Sequence, residues 1–275
     1  LAAGQMMTLL YEPSGFELFA IASVLVSLGA IPVALSTAPT PAQPQSVELN
    51  LSKLYRISPA ASVGCLTTGL ANGAFWSLAP LFTGSVSRET SLAAWFMTAT
   101  VIGGALSQWP LGYASDRFGR RKVLLGAAAI GVAISIVVFN AMDQLTFVTT
   151  NIVGLAWGAI AFPLYAISVA HANDYAGTED YVMVSSGLLL LYGVGAIIGP
   201  FVASALMTAT DASGLYTFTG MVHLAMVGFV IHRMIRPDSA PNEQHIAFSD
   251  ALATAHTASS VYEEEIQQIA DEEGA

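Results

Sequence analysis

The segment Gly112–Arg121 reads G-Y-A-S-D-R-F-G-R-R and decides how the rest of the chain is interpreted. It interrupts a long uncharged region, because neither Thr90–Ser115 nor Val123–Met142 contains a charged residue. Each of these stretches has about the length, roughly 20 apolar residues, that crosses a bilayer as a helix. A basic cluster between two such stretches predicts two membrane spans joined by a cytoplasmic hairpin loop.

An orientation signal alone would explain part of this pattern, since Lys and Arg gather in the cytoplasmic loops of any multi-span protein. It would not explain an Asp at a fixed offset with a Gly on either side. The segment resembles the signature loop of the major facilitator superfamily of transporters, G-x-L-x-D-R-x-G-R-[KR], with Ala114 in place of the Leu. The resemblance implies a conformational-switch role for the matching residues, which are Gly112, Asp116, Arg117, Gly119, Arg120 and Arg121.

The composition also indicates a membrane protein. The chain is 54% hydrophobic and 10% charged, with a mean hydropathy of +0.62, whereas soluble domains carry about 25% charged residues. No basic patch suggests a nucleic-acid partner, and no residue pattern suggests a cofactor or a metal site. The expected surroundings are therefore the lipids of a bilayer.

Seven segments are long and apolar enough to span a membrane. They are Phe16–Thr37, Ala60–Phe82, Thr90–Tyr113, Val123–Met142, Leu145–Ala170, Tyr181–Ala209 and Ser213–Ile231. With this topology, eight of the nine Lys and Arg residues fall on one side of the membrane and only Arg88 on the other. The positive-inside rule then predicts a multi-pass protein of the bacterial inner membrane with a cytoplasmic C-terminus.

The family's twelve-helix plan implies where this chain belongs in the fold. Two spans precede the signature loop after a Pro-rich polar linker, and four follow it, as expected for helices 7 to 12. The resemblance therefore implies an all-α integral membrane protein: the C-terminal six-helix half of the fold, plus helix 6 and the end of helix 5. The corresponding ranges are 1–37 (end of helix 5 and helix 6), 38–59 (cytoplasmic linker), 60–236 (helices 7 to 12) and 237–275 (tail).

Because most of one half is then missing, we expect the chain to be a fragment that cannot transport alone. The tail from residue 237 onward carries nine acidic residues and no Lys or Arg, so a disordered or weakly helical cytoplasmic tail is expected.

Two further segments support the resemblance. Gly69–Pro80 looks like the start of helix 7 in the YcaD-like bacterial subgroup. Gly195, Gly199 and Pro200 resemble the G-x-x-x-G-P element of the family's helix 5, which is the symmetry mate of helix 11.

Three spans contain glycines four residues apart, which places both glycines on one helix face. Such pairs let helix backbones approach closely, so we expect a role in helix packing. The residues concerned are Gly69, Gly73, Gly154, Gly158, Gly195 and Gly199, with Pro200 beside the last.

Substrate contacts are expected from polar and aromatic side chains that face a central cavity near the bilayer midplane. Thr68, Asn72 and Trp76 follow one another at intervals of four and form one helical stripe. Packing within the bundle is the alternative interpretation for each candidate. For Asn72, substrate contact and packing are given equal weight. The candidates are Thr68, Asn72, Trp76, Gln108, Trp157, Tyr165 and Tyr192.

The resemblance also implies how the signature Asp acts. In the family, the Asp is thought to bridge to a helix N-terminus in the opposite half and thereby to latch the cytoplasmic gate.

No span from residue 60 onward has a carboxylate or a Lys or Arg at its centre. His223 is the sole mid-span candidate for a proton relay, and a structural role is the preferred interpretation for it.

The leading functional hypothesis is a small-solute secondary transporter that works by alternating access, with a coupling ion such as a proton as a further partner. The alternative is a non-transporting membrane sensor or scaffold that signals through its acidic tail. An integral membrane enzyme ranks last, because no His cluster, paired carboxylates or nucleophile constellation lies within the spans. We therefore expect no enzymatic activity.

Overall fold

A computed structural model describes residues 7, 10–11, 15–35 and 49–235. These residues form helices and turns, and no strand occurs among them. Most of the predicted end of helix 5, half of the linker (residues 38–48) and the acidic tail lie outside the described residues. The all-α class predicted from the sequence is confirmed.

Each of the seven predicted spans overlaps one long helix, with bounds that differ by up to several residues. One short helix precedes the second span. We number them in chain order. They are α1 (Phe16–Ala34), α2 (Leu51–Ile57), α3 (Pro59–Val86), α4 (Thr90–Phe118), α5 (Arg120–Ala141), α6 (Phe147–Asn173), α7 (Tyr181–Ala209) and α8 (Gly214–Ile235). Short 3₁₀ turns at Met142–Gln144 and Thr178–Asp180 precede α6 and α7.

The helices differ in how apolar they are. Within the described residues, four are both long and apolar enough to cross a membrane: the segments Arg120–Gln144, Phe147–Asn173, Tyr181–Ala209 and Gly214–Ile235. Helices α3 and α4 have spanning length but are not among these four, and both carry polar residues within their apolar stretch, as Asn72 in α3 and Gln108 in α4 show. Helix α1 is apolar but short.

The predicted hairpin loop is not a loop, and this part of the prediction is wrong. Residues 112–118 continue α4, and α5 begins at Arg120, so Gly119 alone joins the two helices. Gly119 has φ 92°, the one positive φ among the described residues, and a glycine has no Cβ to clash in that conformation. Asp116 and Arg120 are consequently four residues apart across a single-residue turn.

Helices α3 to α8 pack as one bundle whose contacts have internal symmetry. The closest pairs are α3 with α7, α4 with α6 and α5 with α8, and α3 also packs against α6 and α8. Exchanging α3 with α6, α4 with α7 and α5 with α8 maps every contacting pair of these six helices onto a contacting pair; α3–α6 and α5–α8 map onto themselves. Because three consecutive helices reverse the direction of the chain, the two triplets form an inverted repeat.

Glycines allow the closest pairs to approach. A Cβ on Gly73 would collide with the backbone of Ala196 in α7, and a Cβ on Gly195 would lie 2.7 Å from the amide nitrogen of Leu70 in α3. The α4–α6 pair has an equivalent contact, where a Cβ on Gly158 would collide with the backbone of Thr100. Small residues at such crossings replace the hydrophobic driving force that lipid removes.

Aromatic side chains fill the centre of the bundle. Phe75 of α3 stacks on Trp157 of α6, with ring centroids 3.7 Å apart and an interplanar angle of 10°. Phe96 packs beside Phe75 at 5.6 Å, and Phe82 meets Tyr216 edge to face at 4.9 Å. These rings join α3, α4, α6 and α8 into one core.

The end of the predicted linker is an ordered part of the bundle. Asn50 caps α2 by accepting a hydrogen bond from the backbone N–H of Lys53 at 2.8 Å. Leu54 of α2 is fully buried and packs beside Val184 and Leu188 of α7. Lys53 Nζ also bonds Asp180 Oδ1 at 2.6 Å, so α2 is held against the start of α7.

We predict that Gly73→Ala and Gly158→Ala each destabilise the protein, by about 1–3 kcal/mol, because the added methyl forces closely packed backbones apart. The control is Gly126→Ala, since a Cβ there has no atom within 4 Å. The control should be neutral or gain up to about 1 kcal/mol from helix propensity. Thermal unfolding in detergent micelles measures the differences, and equal midpoints for all three variants would contradict the packing argument.

Candidate functional site

The signature segment lies in a network of charged groups at one end of the bundle. Arg120 Nε donates to Asp174 Oδ2 at 2.7 Å, and Nη2 donates to Asp174 Oδ1 at 3.3 Å. Arg120 Nη1 donates to Asp116 Oδ1 at 2.7 Å and to Ser115 Oγ at 3.2 Å. One guanidinium group therefore joins the end of α4, the start of α5 and the end of α6.

Arg121 makes a second set of contacts from the next position. Its Nε donates to His171 Nε2 at 3.3 Å, and its Nη2 donates to the Tyr175 hydroxyl at 3.2 Å. Its Nη1 donates to the carbonyl oxygen of Arg233 at 3.4 Å, near the end of α8. The guanidinium also lies 5.7 Å from the centroid of the Tyr175 ring. Arg120 and Arg121 together connect the ends of four helices.

Burial makes the Arg120 contacts energetically important. The side chains of Arg120 and Asp174 are 2% and 6% exposed, whereas that of Asp116 is 36% exposed. A buried charge that loses its partner costs several kcal/mol, whereas an exposed pair contributes about 0–1 kcal/mol. Asp174 is thus the essential partner of Arg120, and Asp116 is the more accessible one.

The three charges all occupy helix ends that disfavour them. The C-terminal end of a helix has partial negative charge and the N-terminal end partial positive charge. Asp116 is near the end of α4, Asp174 caps the end of α6, and Arg120 is the first residue of α5. Each charge is therefore stabilised by the others and not by its own helix, so a competing charge partner could rearrange the network.

The remaining residues of the signature segment have simpler surroundings. Arg117 is exposed and donates from Nη1 to the Tyr113 hydroxyl at 3.1 Å, one turn earlier. The carbonyl oxygen of buried Gly112 accepts a hydrogen bond from Ser115 Oγ at 2.8 Å. Gly119 makes the turn into α5.

Sequence reasoning missed the partners of these arginines. Asp174, His171 and Tyr175 lie at the end of α6, just beyond the predicted span Leu145–Ala170. The sequence does show an amide and a carboxylate, Asn173 and Asp174, directly after an apolar span. Both side chains are buried in the structure. The carboxylate was not linked to the signature segment because 54 residues separate it from Arg120.

A second group of predicted residues meets in the middle of the bundle. Asn72 Nδ2 donates to the Tyr192 hydroxyl at 3.4 Å, which links α3 to α7. Tyr192 meets Tyr165 of α6 edge to face, with ring centroids 5.0 Å apart. Asn72 Oδ1 and the hydroxyl of Thr68 are buried without a hydrogen-bond partner. These four residues combine two phenol rings with two unsatisfied polar groups.

The other substrate candidates lie apart from that group. Trp76 stacks on Phe162 of α6, with ring centroids 5.6 Å apart. Trp157 is 1% exposed within the aromatic core, a position that favours packing over solute contact. Gln108 is half-buried on α4. His223 is buried against α5, and its Nδ1 lies 2.7 Å from the carbonyl oxygen of Thr219.

Comparison with known proteins adds an independent finding. The family model described as Major Facilitator Superfamily matches residues 61–264. The chain is similar to proteins named "Uncharacterized MFS-type transporter YcaD" from Salmonella paratyphi B, Salmonella newport and Salmonella heidelberg. Each is 27% identical over 184 residues, which is 67% of this chain and 45% of the relative. The chain thus matches less than half the length of these relatives.

We predict that Arg120→Met destabilises the protein by about 3–5 kcal/mol, because the buried carboxylate of Asp174 loses its two hydrogen bonds from the Arg120 guanidinium. The double variant Arg120→Met/Asp174→Leu should recover most of that loss. Lys53→Met is the control, because the Lys53 side chain is 45% exposed and its pair with Asp180 should contribute less than about 1 kcal/mol.

Thermal unfolding of the purified variants in one detergent gives all the values for this comparison. Equal losses of stability in Arg120→Met and Lys53→Met would contradict the prediction that the buried pair is the more important one. So would a double variant that is no more stable than Arg120→Met.

Proposed function

The chain belongs to the Major Facilitator Superfamily, and we propose that it forms part of a secondary transporter that moves a small solute across a membrane by alternating access. Helices α3 to α8 correspond, in this proposal, to helices 7 to 12 of the family's twelve-helix fold, and α1 corresponds to helix 6. The inverted repeat of the six-helix bundle is the observation that carries it. Transporters use such repeats to build a site that opens to either side in turn.

The charged network would act as the conformational switch. Asp116 is the partly exposed member, and it is held by a guanidinium that is already satisfied by buried Asp174. It can therefore exchange Arg120 for a positively polarised helix N-terminus in the other half without leaving a buried charge unpaired. In the resulting cycle, the network closes the cytoplasmic side in one state and opens it in the other.

The solute would bind near the middle of the bundle. Asn72, Tyr165 and Tyr192 come from three helices and contact one another away from the helix ends. This supports the proposal, because transporters with inverted repeats bind their substrates near the bilayer midplane. The unsatisfied oxygens of Asn72 and Thr68 are available to a hydrogen-bonding solute. We propose these residues as the contribution of this half to the substrate site.

The orientation follows from charge. Arg120, Arg121 and Lys122 lie at one end of the bundle, and Arg233 joins them there. The positive-inside rule then puts this end, and the C-terminus, in the cytoplasm of a cell whose inner membrane holds the protein.

We predict that Asp116→Asn lowers solute flux about tenfold without lowering the amount of protein in the membrane, because it removes a charge from the switch but not from the core. Asp143→Asn is the control, since Asp143 is an exposed carboxylate in the connection after α5. Sealed vesicles containing the full-length transporter would be incubated with a metabolite extract. Mass spectrometry would then identify the solutes that accumulate.

Solute accumulation that matches protein-free vesicles would exclude transport and favour the sensor or scaffold alternative. Accumulation that is equal in Asp116→Asn and the original protein would leave transport standing but remove the switch role of Asp116.

We further predict that Asn72→Ala raises the apparent KM for the transported solute about fivefold, the loss of one net hydrogen bond, with little change in abundance. Asn140→Ala is the control, because Asn140 is exposed and donates to the carbonyl oxygen of Ile136 one turn earlier. An unchanged KM in Asn72→Ala would remove Asn72 from the substrate site.

A further inference from the structure

One end of the bundle carries a surplus of positive charge, and we call it the basic end. The hydrogen bonds of the charged network join the ends of α4, α6 and α8 there with the start of α5. The start of α7 follows the end of α6 within a few residues, and the pair between Lys53 and Asp180 adds α2. Among the described residues, the basic end has seven basic side chains and four acidic ones. They are Lys53, Arg56, Arg117, Arg120, Arg121, Lys122 and Arg233, against Asp116, Asp174, Glu179 and Asp180.

The opposite end of the bundle has the reverse balance. Among its described residues, Arg88 is basic, whereas Glu89, Asp143 and Asp211 are acidic. The positive-inside rule accounts for the side of the membrane on which the surplus lies, but it does not say what neutralises the surplus. The basic end is therefore a surface with an electrostatic preference for anions.

Three residues of the basic end are exposed, namely Arg56, Arg117 and Lys122. The ion pairs within the described part of the chain belong to Arg120 and Lys53, and none of them involves these three residues. Arg117 donates to the hydroxyl group of a tyrosine one turn earlier, not to a carboxylate. The three side chains can therefore pair with anionic groups from outside the described residues.

The acidic tail carries such groups and is attached at the basic end. Helix α8 ends at Ile235, and the carbonyl oxygen of Arg233 in its last turn contacts Arg121. From residue 237 onward the chain has nine acidic residues and no Lys or Arg, which accounts for nearly all of its net charge of −10. Because the tail is covalently attached, its effective concentration at this end is in the millimolar range. Weak ion pairs are then sufficient for binding.

We propose that the acidic tail binds to the basic end of its own bundle and pairs its carboxylates with Arg56, Arg117 and Lys122. Each exposed pair contributes little alone, so several pairs act together. Anionic lipid headgroups are attracted to the same side chains. They lack the covalent attachment, however, and the tail repels them because it has the same sign of charge. Binding of the tail does not require that the protein transports a solute.

The lysines allow a direct test, because Lys53 and Lys122 are the only two in the chain and both lie at the basic end. A carbodiimide joins an amine to a carboxylate that contacts it, and mass spectrometry of the digested protein identifies the joined residues. The full chain would be treated in nanodiscs of zwitterionic lipid that contain one copy each. We expect Lys122 to be joined to tail carboxylates, above all those of residues 263–265 and 271–273. The link between Lys53 and Asp180 is the internal standard.

Attachment alone would bring the tail near Lys122, so electrostatic binding is recognised by its dependence on charge. The double variant Arg56→Gln/Arg117→Gln should lower the yield of tail crosslinks to Lys122 at least about threefold, because two exposed ion pairs are lost. Arg88→Gln is the matched control, since Arg88 is exposed at the opposite end, and it should leave the yield unchanged. For the original chain, about 1 M NaCl should also lower the yield, because it shortens the Debye length to about 3 Å.

Two results would overturn the proposal. The first is the absence of tail crosslinks to Lys122. The second is a yield that changes neither in the double variant nor at high salt, as expected for a tail that is attached but not bound. The salt dependence needs no substitution, so the test remains valid if the double variant folds poorly.

Nanodiscs rich in anionic lipid test the competing occupant. An unchanged yield of tail crosslinks to Lys122 would support the tail as the occupant of the basic end. Loss of these crosslinks would mean that lipid headgroups bind there in preference to the tail, and it would overturn the proposal.

Discussion

The pairing of Arg120 with Asp174 is the interaction on which the charged end of the bundle depends. Both side chains are almost completely buried, and each occupies a helix terminus of the wrong polarity for its charge. Neither charge would be tolerated there alone, because burial and helix dipole both oppose it. The pair consequently fixes the end of α6 against the start of α5, and Asp116 extends the arrangement to α4. The other contacts at this end, including those of Arg121, form around that constraint.

Much of the helical architecture follows from the sequence because long apolar segments have few alternatives in lipid, where every backbone group must be paired within its own helix. The predicted and observed bounds agree for Tyr181–Ala209 and differ by several residues elsewhere. Two of the differences occur where polar residues continue a helix beyond the apolar region, as at Asp116 in α4 and Asn173 in α6. Hydropathy marks the part of a helix that is in lipid, whereas the hydrogen-bonded helix extends into the polar region beyond it.

The site was less predictable than the fold. The spacing within Gly112–Arg121 identified the residues that we propose as a switch. Their partners depend on which helix ends meet, and that is a property of the whole bundle. Spacing along one helix was likewise not enough to predict the contacts of the stripe formed by Thr68, Asn72 and Trp76. Helical spacing places the three on one face, yet Asn72 meets Tyr192 of α7 whereas Trp76 stacks on Phe162 of α6. The short helix α2 was missed because its seven residues carry one strongly buried side chain, Leu54, too little for a periodic signal.

The single-residue connection at Gly119 restricts insertions and deletions between α4 and α5. Because one non-helical residue joins the two helices, an inserted residue between Phe118 and Arg120 would change the position and direction in which α5 begins relative to α4. Arg120 would then be displaced from Asp174, and the buried pairing between them would be lost. Most connections between helices accept insertions and deletions readily, but this one must keep its length. Among divergent sequences that preserve this network, we therefore expect gaps to accumulate elsewhere and never at this turn.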